Sequence, residues 1–406
     1  MSTDGRSADA VHATAEGDLE SAGFVQLVTR ADGDALAASG IIARALTACE
    51  TPFQVSVGRT VAERTQRVRT LADESTGGDD RTLVVGAVDA EASRLDADER
   101  PAVLAAVDLV RGLDKAPAPD PVLALAGLVA AGVEPGAGES EWLLDAAHER
   151  GLVERRPGVA VPTADPVDGV AHSTRLRAPW SGDADETREA LSDVATFDTA
   201  EELSADDRRA VGSLAALDTV GSDESAAVAA TAVQRVLSPY ATPENAFETV
   251  GGYAEVLEAT ARLEPGTGAA LAMGHDACEP ALSAWREYGR RAHSALETAS
   301  TSRYDGLVVI ELDDESDLPV EAIAELGVNY RSVEPTVLAV GTGEAALATR
   351  GSNSLGAAVE RIARELASSV DDAAGVEYDV GHRRGYLRYD PSMDDSTIIT
   401  TVREEQ

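Results

Sequence analysis

The sequence predicts an α/β protein in three parts behind a polar leader over residues 1–21. An N-terminal parallel-sheet domain covers 22–185, a helical linking region 186–300 and a small C-terminal α/β domain 301–406. Three observations predict this. Short Val- and Leu-rich runs alternate with Ala-rich helical stretches towards both ends of the chain, the order in which a mostly parallel sheet is built. The stretch from about 186 to 300 is almost wholly helical in pattern, with breaks near 220, 240 and 265. Aromatic residues make up 4% of a chain that is 44% hydrophobic, so its cores must be built from Ala, Val and Leu. Ala-rich helices and Val-rich strands are the elements that palette favours.

The leader is Ser-, Asp-, Ala- and Gly-rich, with too little apolar surface to fold. Gly23–Thr29 reads as a strand running into the polar turn Arg30-Ala31-Asp32-Gly33-Asp34, and 35–49 as a helix of small and branched residues. Val55–Thr60 reads as a second strand and Thr82–Val88 as a buried third. Helices are expected over 99–112, 121–132 and about 140–151, and irregular chain over 155–185. After the helical middle, Leu307–Ile310 and Thr336–Val340 read as strands, 354–369 as a helix, and Tyr386–Tyr389 and Thr397–Ile399 as late strands. There is no internal repeat.

The formal net charge is −38, with 72 acidic residues against 34 Lys and Arg. Lys115 is the only lysine. Carboxylates spread along the whole chain, with lysine almost absent, fit a salt-rich interior, where charge repulsion is screened over roughly 3 Å at about 1 M salt. Read this way, the acidity says little about partners. Cys49 and Cys278 are far apart and lack CxxC spacing, so no disulfide framework is expected. No run of 18 apolar residues occurs and the first 20 residues are polar, which predicts a cytoplasmic protein without a signal peptide or membrane contact. His12, His148, His172, His275 and His293 have no paired metal-ligand spacing and are expected to be structural or exposed.

Asp32-x-Asp34 is the first candidate site. In an open α/β sheet, ligands gather at the carboxyl ends of strands. Two carboxylates one residue apart before a helix can reach one divalent cation, and hard oxygen ligands suit Mn²⁺ or Mg²⁺. An acidic turn that merely caps the helix has the same sequence.

The surrounding residues carry a resemblance. Val28–Ile41 resembles the opening motif of the DHH phosphoesterase superfamily, in which a strand runs into His-x-Asp-x-Asp-Gly and a small-residue helix. Asp120–Leu128 resembles the fourth segment of that superfamily, and Leu144–Val153 the helix after it in archaeal RecJ-like single-strand exonucleases. Phe247–Ala254 and Ala261–Leu263 resemble the stretch preceding the C-terminal domain in that group. Val380-Gly381-His382 resembles the Gly-Gly-His motif of the DHH-associated domain.

The departures are equally specific. Arg30 stands at the His position and Ala35 at the Gly after the second Asp. No Asp-His-His triplet occurs. Gly86-Ala87 stand where a metal-ligand Asp is expected, with Asp89 displaced, and Gly127–Gly132 carries no charge. Asp32 and Asp34 cannot by themselves hold the two metals of such a phosphoesterase, and Asp89 is the remaining candidate for one loose site. The expectation is thus a depleted site, with Mn²⁺ or Mg²⁺ at Asp32 and Asp34 or no cofactor at all.

The resemblance also implies that the C-terminal domain grips a nucleic-acid backbone. Arg350, Ser352, Gly381, His382, Arg383 and Arg384 are the candidates. Arg350-Gly351-Ser352 offers a guanidinium and backbone amides to a phosphate, and 381–385 is the most basic short run in the chain. A solvated β-turn would look the same. The implied function is a RecJ-like protein associated with single-stranded DNA in replication or repair, with a degenerate nuclease site and scaffold contacts to GINS- and MCM-type proteins. Two alternatives remain: an active metal-dependent 5′→3′ exonuclease, and a regulatory subunit of an intact RecJ paralogue.

Overall fold

The computed structural model describes residues 19–74, 79–95, 100–194, 203–222, 226–313, 317–351, 354–369, 375–381 and 383–405. The leader expected over 1–21 lies almost wholly outside them. The chain forms two compact units, Met1–Val153 with Val256–Ala281, and Glu154–Glu255 with Leu282–Gln406. These differ from the consecutive ranges that the sequence suggests. Residues 256–281 group with the N-terminal sheet, where helix Pro265–Ala272 packs on the helix Gly33–Ala48, and 154–255 group with the C-terminal sheet around a core of their own that includes Val170, Leu191 and Val211.

In the first unit, β1 (Phe24–Arg30), β2 (Phe53–Gly58), β3 (Asp80–Val85) and β4 (Ser93–Leu95) form a sheet in the order β2-β1-β3-β4. All three pairings are parallel. β1 therefore has neighbours on both sides, and the strand order reverses at its carboxyl end, the position where open α/β sheets bind ligands. Helix α1 (Gly33–Ala48) follows β1, α2 (Val61–Glu74) follows β2, and α3 (Ala102–Gly112) and α4 (Pro121–Ala130) pack with α1. α1 is buried around nearly its whole circumference from Gly33 to Ala43, which its small residues permit. Leu27, Leu36, Leu83, Leu109 and Leu123 fill the core.

In the second unit, β5 (Glu154–Arg155) and β6 (Tyr240–Ala241) pair alone. The segment Thr249-Val250-Gly251-Gly252 has a structural reason. Thr249 Oγ1 donates to Val161 O and accepts from the Gly252 N–H. A Cβ on Gly252 would lie 2.2 Å from Pro162 N, so only glycine lets the chain pass this close to the helix Val250–Leu263.

The second sheet has the order β11-β12-β10-β9-β8-β7. Its strands are β7 (Ser300–Tyr304), β8 (Leu307–Glu311), β9 (Thr336–Gly341), β10 (Glu344–Thr349), β11 (Glu377–Val380) and β12 (Arg384–Arg388). Only the β8–β9 pairing is parallel. Helices Gly356–Ser369 and Asp395–Glu405 bury Val359, Ile362, Leu366, Ile398 and Val402 with the sheet residues Leu338, Leu347 and Leu387. The strand expected at Thr397–Ile399 is therefore a helix. Its β-branched run misleads, while the Asp394 carboxylate accepts the Ser396 N–H at 2.8 Å and starts the helical turn. Cys49 and Cys278 are not joined in a disulfide. Among the described residues, no helix is long and apolar enough to cross a membrane.

Candidate functional site

β1 delivers Arg30 to its carboxyl end, and the turn at 31–32 starts α1. Asp32 is the N-cap of α1, with Oδ1 accepting the Ala35 N–H at 2.8 Å. Its other oxygen, Oδ2, is ion-paired with Arg30 Nε. Asp34 points the other way, towards α3. That helix begins after Pro101, which offers no side-chain cap. Asp34 supplies one from 68 residues away: Oδ2 accepts the Ala102 N–H at 2.8 Å and Oδ1 the Val103 N–H at 2.9 Å. The two aspartates thus cap two different helices.

All three side chains are buried. Burial, and then the charge of Asp32, push the Asp34 carboxyl up to about 6. Arg30 and the two backbone N–H groups pull the other way. Around this centre, the Gly33 N–H donates to Glu258 Oε2 at 2.7 Å, and Glu258 is held by Arg262 at 3.0 Å. Arg64, fully buried, donates to Ala87 O at 2.9 Å and Gly58 O at 3.0 Å, tying the ends of β2 and β3 together.

The donor set does not fit a divalent ion. Each of the four carboxylate oxygens already has a partner: Ala35 N–H, the Arg30 guanidinium, Val103 N–H and Ala102 N–H. Gly86 has no side chain to offer. Asp89 is exposed, its N–H on Thr65 Oγ1 and its carbonyl on Arg69. No group of three His, Cys, Asp or Glu side chains among the described residues is arranged to hold a metal.

Of the C-terminal candidates, the structure places Arg350, Gly381, Arg383 and Arg384 close to one another. β10 pairs with β12, and the Thr349 N–H donates to Arg383 O at 3.0 Å, so the Arg350 segment adjoins the 381–384 hairpin. The Gly381 N–H closes that hairpin on Arg384 O at 2.9 Å. Arg383 is exposed; Arg384 is half-buried, 3.9 Å from Glu325. Arg350 instead turns its guanidinium onto three carbonyls: Val328, Ser332 at 3.2 Å and Glu334 at 2.7 Å. It thereby closes the π-helical turn Gly327–Arg331, and burial pushes its pKa down. Ser352 and His382 lie outside the described residues.

Sequence reasoning missed a second buried polar group. Glu255 accepts from Ser173 Oγ at 2.6 Å and Trp285 Nε1 at 3.1 Å. Burial raises its pKa, against the pull of Arg175, Ser173 and Trp285. Nearby, Asp168 grips Arg286 through both oxygens, at 2.8 and 2.9 Å. These partners are about 30–120 residues apart in sequence, so no local motif signals them.

A parallel sheet in the order β2-β1-β3-β4, together with a helical region and a mixed C-terminal sheet, forms a RecJ-like fold. The structure is similar to Mn²⁺-bound RecJ from Thermus thermophilus, with a TM-score of 0.55 and 14% identity, covering 98% of this chain and 54% of that one. This chain therefore spans about half the length of that RecJ. It is also similar to exonuclease RecJ bound to manganese, with a TM-score of 0.50 and 13% identity over 98% and 94% of the two chains. CDC45 from Entamoeba histolytica matches with a TM-score of 0.60 and 8% identity over 99% of both chains. At such identities the likeness is one of fold. In sequence, the chain is 43% identical over 389 residues to "Uncharacterized protein rrnAC1427" of Haloarcula marismortui, covering 94% of this chain and 96% of that protein. The family description "Uncharacterized protein rrnAC1427, C-terminal domain" matches residues 299–404. The chain belongs to the rrnAC1427 family.

Proposed function

We propose that this protein is a non-catalytic RecJ-like protein that associates with single-stranded DNA in replication or repair and acts as a scaffold for GINS- and MCM-type partners. The observation that carries the reading is the use of Asp32 and Asp34. Both carboxylates are buried, their oxygens are taken by helix N–H groups and by Arg30, and among the described residues no group of three His, Cys, Asp or Glu is arranged to hold a metal. A two-metal hydrolysis needs several hard ligands around each ion, and this edge of the sheet supplies helix caps instead. Fold likeness over nearly the whole chain to exonuclease RecJ and to CDC45 supports descent from the same architecture. The exposed Arg383 in the 381–384 hairpin is the proposed phosphate contact. The acid-rich surface suits work at high salt.

The test is a labelled single strand incubated with the protein and Mn²⁺ or Mg²⁺ at molar KCl, with binding followed in parallel by fluorescence anisotropy. Co-purification with tagged GINS and MCM proteins completes it. The expected outcome is retention of the strand without shortening, and capture of the partners. Degradation that disappears in Asp32→Ala/Asp34→Ala would replace this reading with the metal-dependent exonuclease. Capture of an intact RecJ paralogue without any strand binding would replace it with the regulatory subunit.

A further inference from the structure

We infer that Arg30 is the resident cation of this site: its guanidinium takes the seat a divalent ion would need, and Gly86 is the residue that makes room for it. Asp32 and Asp34 are 1% and 2% exposed. Two like charges so deep in a protein need a counter-charge inside it, since a buried charge stripped of its partner is strongly destabilising. The Arg30 guanidinium pairs directly with Asp32. Backbone N–H groups complete the shell around the remaining three oxygens. A fixed positive charge within this cluster opposes entry of any second cation.

Gly86 follows β3, the strand beside β1. Its φ is +114°, and a Cβ there would lie 3.1 Å from Arg30 Cβ and 3.7 Å from Arg30 Cδ. An aspartate at 86 is opposed both by the backbone conformation and by the stem of Arg30. Arg30 and Gly86 are therefore one coupled arrangement: the glycine leaves room for the stem that carries the internal guanidinium.

This role rests on the non-catalytic reading above, yet the two fail separately. Strand degradation by the wild type tests that reading, whereas thermal unfolding tests this one. Melting is followed by circular dichroism at molar KCl, in EDTA and in millimolar Mn²⁺. The proteins compared are the wild type, Arg30→Met, and Arg30→Met/Asp32→Asn. The wild type should melt at the same temperature in both solutions. Arg30→Met should melt roughly 6–20 °C lower in EDTA. Both Mn²⁺ and the added Asp32→Asn change should recover part of that loss. If Arg30→Met does not fold, recovery is read as folded protein regained with Mn²⁺ or in the double variant. A wild-type rise of about 5–10 °C, the effect of metal at about a hundredfold excess over Kd, would overturn the inference. So would an unchanged Tm in Arg30→Met. Recovery by Asp32→Asn but not by Mn²⁺ would reduce Arg30 to an ordinary ion-pair partner and overturn it as well.

Discussion

Acid should weaken this protein through one histidine. His293 is fully buried in the helix Cys278–Thr298. Its Nε2 lies 2.9 Å from Ser173 O and its Nδ1 3.2 Å from Arg177 Nη1. A guanidinium only donates, so Nδ1 accepts and Nε2 carries the proton. Protonating Nδ1 would remove that acceptor and set a positive charge against Arg177 in a dry site. Burial first, then Arg177, hold the pKa down at about 3, against a smaller upward pull from Ser173 O. The folded value is depressed below the unfolded value of 6.5, so this stability is present above pH 6.5 and is lost as pH falls towards 3. The interval of about 3.5 pH units corresponds to about 5 kcal/mol at its limit, or about 1.4 kcal/mol per unit along the way. Glu255 works in the opposite direction, because burial raises its pKa and folding then favours its protonated form. A single variant separates the two. His293→Gln keeps a neutral donor and acceptor and does not titrate. Urea unfolding at molar KCl, stepped from about pH 6.5 to about pH 5, should cost the wild type about 2 kcal/mol more than His293→Gln. Parallel pH profiles would refute the argument.

Four further outcomes follow from the same structure. Asp34→Ala should lower stability by about 1–3 kcal/mol in denaturant titrations, the loss of two N–H contacts being offset in part by removing a buried carboxylate; equal midpoints would mean that the cap is idle. Arg350→Ala should cost about 1–3 kcal/mol by freeing three carbonyls while single-strand affinity stays unchanged, and the reverse pattern would make it a phosphate contact. Arg383→Ala/Arg384→Ala should weaken single-strand binding and lower the salt slope by about 0.7, one phosphate contact, because Arg384 is already near Glu325; an unchanged slope would make the hairpin a plain surface turn. On dialysis from molar KCl to about 0.01 M, where screening extends over about 30 Å, circular dichroism should show loss of structure, and an unchanged spectrum would argue against salt adaptation.

Parts of both sheets were legible in the sequence because their signals are local. The β1 strand, the acidic turn and α1 lie within 25 consecutive residues, and the strands at 307–311 and 336–341 are nearly pure apolar runs. What was hidden depends on context. β7 is Ser300–Tyr304, a polar edge strand with no buried residue, so it carries no hydrophobic pattern. β10 reads Glu-Ala-Ala-Leu-Ala-Thr, a helix-forming composition, yet pairing on both sides makes it a strand. The site was half legible. The motif marks Asp32 and Asp34 as candidates, but their partners at Ala102 and Val103, like Glu258 on Gly33, come from distant chain. A guanidinium at 350 looks the same in sequence whether it faces phosphate or its own carbonyls.

The double use of the aspartates explains how a motif can outlive the chemistry it resembles. Asp32 starts α1, and Asp34 supplies the first turn of α3 with acceptors that Pro101 cannot provide. Both helices pack against each other in the first unit, so losing either carboxylate loosens a core element whether or not a metal is ever held. Arg30 adds an ion pair to the Asp32 cap. An aspartate pair at a strand end is therefore weak evidence of catalysis when the neighbouring positions carry a guanidinium and a positive-φ glycine. Here it marks instead two helices that begin on those carboxylates.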